Sequence, residues 1–244
     1  MLPLAPPRPE HLHAIGVDGP VAVIGDVHGD AVRLHRLLRK LEGRTILFAG
    51  DLNDRGPDTR GVIDLMLGVG AAGVRGNHEE WLIALAQGRF DTFALHPRMG
   101  GAATLLSYGI EARSTSAVEA EAHRIPFAHR DFLWSLPVAI DLTVCGQSYW
   151  LTHAGVPPGP RFSEALPRSE IVPWLVRNRP DALLWSNNPP EGALAVDRPV
   201  IMGHMCQVEP IDLGHVIAID TGCGTTDPWS LTALLLPERE FLTV

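Results

Sequence analysis

The short run Val21-Ala-Val-Ile-Gly25 is rich in β-branched residues and passes directly into Asp26 and His28, so polar groups begin where the apolar run stops. Such a run predicts a buried strand rather than a helix. The same arrangement returns twice, in Thr45-Ile-Leu-Phe-Ala-Gly-Asp51 and in Ala71-Ala-Gly-Val-Arg-Gly-Asn77. Between the runs, Leu34, Leu37, Leu38 and Leu41 fall at helical spacing with Gly43 as a stop, and residues 59–70 repeat the helical pattern. Residues 78–88 read as a third helix. The order β-α-β-α-β-α predicts an α/β sheet with parallel strands and helical crossovers.

Parallel strands of this kind gather functional groups in the crevice beyond their carboxyl ends. Asp51 follows Asp26 by 25 residues and Asn77 follows Asp51 by 26, close to the roughly 30 residues of one strand-helix-strand unit. Each polar group is therefore expected at the same edge. The stretch 88–147 mixes amphipathic pieces with Gly-Gly and Pro, and is expected to be a mostly helical insert covering the site. Strand-like runs resume in "QSYWLTHAG", "RPVIMGH", "HVIAIDTG" and "SLTALLL", and two of them end in His153 and His204. Residues 1–244 are expected to form one domain, with a proline-rich leader over 1–19.

Composition narrows the function. With 45% hydrophobic residues in a chain of 244, a large core can be buried, and there is no internal repeat. Neither a signal-peptide apolar region nor a stretch of the about 18 apolar residues a membrane span requires is visible, so a soluble, cytoplasmic protein with no membrane partner is expected. Cys145, Cys206 and Cys223 lack metal-site or disulfide spacing and read as reduced thiols. The net charge of -8 argues against a nucleic-acid binder. It leaves a phosphorylated substrate open, because bound metal can reverse the local field.

Asp26, His28, Asp51, Asn77, His153 and His204 form a mixed carboxylate and imidazole set that suits manganese, iron or zinc. Six groups exceed what one catalytic ion with an open position needs, but they suit two divalent ions sharing a carboxylate. Such a pair, about 3.5 to 4 Å apart, can hold a hydroxide and clamp phosphate oxygens, which points to phosphoester hydrolysis. In "GDLNDRG", Arg55 offers a planar fork to phosphate; in "GNHE", Asn77 offers a carbonyl oxygen and His78 is a candidate general acid, with Asp54 to orient it. The remaining histidines and Arg75 are expected to be structural, and Asp220 to support the site.

"GDVHG", "GDLNDRG", "RGNHE", "HAG" and "GH" resemble the phosphoprotein phosphatase branch of the calcineurin-like metallophosphoesterases, and "GGAATLLSYG" and "IDTG...LTAL" resemble segments of its bacterial members. The resemblance runs from about residue 21 to 236. It implies a metallophosphoesterase fold, a central β-sandwich flanked by helices, in which the βαβαβ pattern describes the N-terminal half. It also implies Asp26, His28 and Asp51 on one metal, with Asp51, Asn77, His153 and His204 on the other. His78 would be the acid, Asp54 its partner, and Arg55 and Asn77 the substrate contacts. Manganese comes first among the metals, then iron or zinc. A phosphate-gripping arginine that many bacterial protein phosphatases carry after a Leu-Trp pair is replaced here by Asn187 and Asn188, leaving Arg161, Arg177, Arg179 or Arg198 as substitutes. That segment and "DTGC" are similar to symmetrical diadenosine tetraphosphate hydrolases. The expectation is a phosphoserine/phosphothreonine phosphatase, with the dinucleotide hydrolase as the alternative and an inactive binding module as a minor one; no ligand is missing.

Overall fold

A computed structural model describes residues 12–159, 165–224 and 229–244. Three parallel strands, β2 (Val21–Ile24), β3 (Thr45–Phe48) and β4 (Ala72–Gly73), form the half of one sheet that the sequence pattern predicts. β10 (Thr232–Leu236) lies antiparallel along β2, and β11 (Glu240–Thr243) along β10. The order of this sheet is β11-β10-β2-β3-β4.

The uninterrupted apolar character of β2 and β3 follows from burial on both faces. Val21, Val23 and Leu47 pack into one cluster with Ile140, Leu142, Leu151, Ile201 and Ile217 of a second sheet. Ala22, Ile24, Ile46 and Phe48 point the other way, against helices α1 (Ala31–Leu38), α2 (Thr59–Gly68) and α3 (Asn77–Ala86). Asp30 and Asp58 start α1 and α2 by accepting hydrogen bonds from the backbone N–H of Arg33 and Gly61.

The second sheet has the order β1-β5-β6-β7-β9-β8, where β1 is Leu12–Val17, β5 Ala139–Val144, β6 Gln147–Thr152, β7 Val200–Met202, β8 Ile211–Asp212 and β9 Val216–Ala218. Its outer face packs Ala139, Trp150 and Val200 against the helices Ile171–Asn178 and Pro180–Trp185. The result is a β-sandwich between two helical layers. The described residues contain no helix long and apolar enough to cross a membrane.

Two boundaries differ from expectation. The leader read over 1–19 contains β1, which pairs in parallel with β5 from Leu12↔Ala139 to Val17↔Val144; residues 1–11 lie outside the described residues. β1 is a half-buried edge strand with His13 and Gly16 among its apolar positions, so its pattern is weak. The insert read over 88–147 is helical through α4 (Gly101–Ser107), α5 (Thr115–Glu121) and α6 (Phe127–Ser135), but Ala139–Val144 belongs to the sheet.

Candidate active site

The carboxyl ends of β2, β3, β6 and β7 converge. Asp26 and His28 follow β2, Asp51 follows β3, Asn77 opens α3, His153 follows β6 and His204 follows β7. All except the partly exposed His204 are buried. Asp51 lies in the middle. Its Oδ2 is 3.6 Å from His28 Nε2 and 3.8 Å from His78 Nε2, while its Oδ1 is 3.4 Å from His153 Nε2. His153 Nε2 also lies 3.0 Å from Asn77 Oδ1 and 3.1 Å from His204 Nδ1, and Asp26 Oδ2 is 4.0 Å from His28 Nε2. Two groups able to hold a cation result, His28-Asp51-His78 and Asp51-His153-His204, with Asp51 common to both.

These residues fit a pair of divalent cations. His28 Nδ1 bonds the carbonyl of Asn53 at 2.9 Å and His153 Nδ1 that of Ala49 at 2.8 Å. A backbone carbonyl on Nδ1 fixes the tautomer that leaves Nε2 a lone pair, the usual support of a metal-ligating imidazole. His28 Nε2 is buried with no hydrogen-bond partner, so the lone pair aims at the gap beside Asp26 and Asp51. Burial raises the Asp26 carboxyl, and Asp220 beside it raises it further; a cation relieves this crowding of acids. Asp220 is itself buried and accepts a hydrogen bond from Gly222 N–H at 2.9 Å, as a supporting residue would.

Holding these groups together strains the backbone. The described non-glycine residues with left-handed φ include His28 (46°), Asp51 (52°), Asp54 (74°), Arg55 (63°) and His204 (65°), all in this site. Such conformations each cost on the order of 1–3 kcal/mol and persist where the surroundings impose them. Two glycines make the close approach possible: a Cβ on Gly76 would overlap Asp51 Oδ1, and one on Gly203 would overlap Asp26 Oδ1.

His78 differs from the other imidazoles in its partner. Its Nδ1 lies 2.6 Å from Asp54 Oδ2, a carboxylate rather than a carbonyl. Asp54 is fully buried, and Trp81 Nε1 (2.9 Å), Asn53 Nδ2 (2.9 Å) and Thr104 Oγ1 (2.8 Å) donate to its oxygens. Burial alone would lower the His78 pKa, but the negative charge of Asp51 and the bond to Asp54 outweigh it and raise the pKa. Arg55 Nη2 is 3.4 Å from His78 Nε2, at the exposed side of the cluster.

The substitute arginines are engaged elsewhere. Arg177 faces Glu170 (3.9 Å), Arg179 faces Asp181 (3.1 Å), and Arg198 pairs with Asp141 and Asp197 while stacking 4.8 Å over Trp150. Arg161 lies outside the described residues. Arg75 is buried and paired with Glu80 at 3.0 Å, as a structural residue. His129 is likewise structural, bridging Tyr108 (2.9 Å) and Asp64 (2.9 Å).

Glu79, Trp81 and Thr104 were not singled out from the sequence. Glu79 is fully buried and accepts from the N–H groups of Asp51 (3.0 Å), Leu52 (2.7 Å) and Gly76 (2.7 Å), tying the loop after β3 to the start of α3. Burial, then the charge of Asp51, lifts its pKa to about 7. Its position three residues after the helix-opening Gly76, where a glutamate reaches back to backbone N–H groups, is the signal that could have found it. Glu79→Ala orphans three buried donors at about 1–3 kcal/mol each, so a loss of about 3 kcal/mol or more is expected in urea denaturation. Glu79→Gln should lose less, and an alanine variant as stable as the parent would refute the bracing role.

A β-sandwich whose strand ends surround one shared carboxylate with imidazoles defines a metal-dependent phosphohydrolase. The chain belongs to the calcineurin-like phosphoesterase family, whose profile matches residues 19–193. It is 28% identical over 247 residues to an asymmetrical bis(5'-nucleosyl)-tetraphosphatase PrpE from Oceanobacillus iheyensis, covering 92% of this chain and 91% of that protein. A symmetrical bis(5'-nucleosyl)-tetraphosphatase from Methylococcus capsulatus is 30% identical over 163 residues, 62% of this chain and 49% of that protein. Among solved structures, a chain provisionally assigned as a diadenosine tetraphosphatase superposes with a TM-score of 0.62 at 22% identity, over 96% of each chain. A cold-active protein-tyrosine phosphatase from a Shewanella species gives 0.57 at 19% identity, over 96% of this chain and 79% of that one. At such identities the structures share the fold.

Proposed function

We propose that this chain hydrolyses dinucleoside polyphosphates, asymmetrically, at a dinuclear centre bridged by Asp51. The observation that carries the site is that the two oxygens of one buried carboxylate face two separate ligand groups. The substrate class is supported by the Oceanobacillus relative, which matches nearly end to end. In this reading Asp26, His28 and Asp51 hold one cation, and Asp51, Asn77, His153 and His204 the other. When bound, the cations, manganese first and iron or zinc after it, neutralise phosphate charge and activate water.

The chain's own residues do the rest. Arg55 and the Asn77 amide orient the phosphoryl group, with the guanidinium spanning two of its oxygens. As the water gives up a proton to solvent and its oxygen bonds to phosphorus, the P–O bond on the opposite side breaks, and His78 Nε2 gives its proton to the departing phosphate oxygen. Asp54 stabilises the imidazole in the protonated form through Nδ1. Reduced thiols suit a cytoplasmic setting for this reaction.

The manganese-supplemented protein should release ATP and AMP from diadenosine tetraphosphate faster than it dephosphorylates phosphoserine or phosphothreonine peptides. ADP as the sole product would make the cleavage symmetrical. Preferential turnover of the phosphopeptides would reject the dinucleotide reading in favour of a protein phosphatase.

A further inference from the structure

Phe93 and Trp185 come from opposite flanks of the site and meet in solvent. Phe93 lies in the short turn Thr92–Leu95 and is 51% exposed; Trp185 ends the helix Pro180–Trp185 and is 42% exposed. Their ring centroids are 6.4 Å apart at an interplanar angle of 50°, and the imidazole of His96 stacks on Phe93 at 5.9 Å and 22°. Loose packing does not force this exposure, since the adjacent Ala94 and Leu184 are buried.

Each ring is tied to the site through backbone hydrogen bonds. The N–H of Gly100 donates to the carbonyl of His96 at 3.1 Å, and the N–H of Arg55 donates to the carbonyl of Gly100 at 3.2 Å. The Phe93 turn thus rests on the backbone of the phosphate-facing arginine. On the other flank, the N–H of Ala154, the residue after His153, donates to the carbonyl of Leu183 at 2.8 Å, which anchors the last turn before Trp185. The segments that carry the two rings are thus bonded through the backbone to the loops of Arg55 and His153.

We propose that Phe93 and Trp185 form a stacking platform for a nucleobase of the substrate, a site that rests on the dinucleotide reading above. In this reading a base attached to phosphates held at Arg55 and Asn77 stacks on these rings. Exposed flat rings hold a base by stacking, with little dependence on which base it is. The platform should accordingly accept diguanosine and diadenosine tetraphosphates with similar KM.

The test uses the manganese-supplemented protein and two probes, AMP and ribose 5-phosphate, which differ by the base. Calorimetric titration should show AMP binding more tightly by roughly 5- to 100-fold. Trp185→Ala and Phe93→Ala should each cut that preference, and Trp185→Phe should restore most of it. A wild-type protein without the preference, or a preference that survives both alanine variants, overturns the platform. In turnover, KM for diadenosine tetraphosphate should rise in both alanine variants. Cleavage of the dinucleotide with KM indifferent to both rings removes the platform and leaves the proposed function standing. A Trp185-dependent AMP preference in a protein that does not cleave the dinucleotide does the reverse.

Discussion

Asp51→Asn is expected to empty both cation positions and to lower turnover beyond the roughly 10⁴-fold that loss of a general acid can account for. The amide keeps the shape of the carboxylate and the oxygen that accepts from His78 N–H, now at 3.1 Å, so the fold should persist. What disappears is the negative charge that both ligand groups share. Metal analysis after dialysis should find both sites depleted together. Retention of one full equivalent of metal would mean that Asp51 does not bridge.

His78→Ala is expected to lower turnover by roughly 10²- to 10⁴-fold, the usual range for acid-base catalysis, with metal content nearly intact. The structure leaves a competing role open to test, because His78 Nε2 is 3.8 Å from Asp51 Oδ2, in the same group as His28. The partner atoms favour the acid. His28 and His153 donate to backbone carbonyls, whereas His78 bonds a carboxylate that stabilises its protonated form. The loss should be smallest for a nucleotide leaving group, which departs readily as a phosphate oxyanion, and largest for an alkyl phosphate. Equal metal loss in the His78 and Asp51 variants would make His78 a ligand instead.

The candidate ligands that the structure brings together were legible because each follows an apolar run, and a strand end is a place that local sequence can mark. Val21–Ile24 and Thr45–Phe48 read as buried strands from composition alone, and they are. Leu12–Val17 and Ala139–Val144 did not stand out: β1 is a half-buried edge strand, and β5 follows the helices of the segment read as one insert. The supports of the site were harder still. Trp81 reaches Asp54 across 27 positions and Thr104 across 50, and nothing near either residue in sequence reports its partner.

By itself the sequence determined the chemistry at the strand ends, since an acid or imidazole placed after a buried strand lies at the sheet edge whatever packs around it. Tertiary structure decided which carboxylate is common to both candidate groups and which imidazole faces an acid rather than a carbonyl. Those outcomes depend on distances of 3 to 4 Å between residues up to 178 positions apart, as in the contact of His204 N–H with Asp26 at 3.1 Å. Only the packing of two sheets against each other sets distances of that kind.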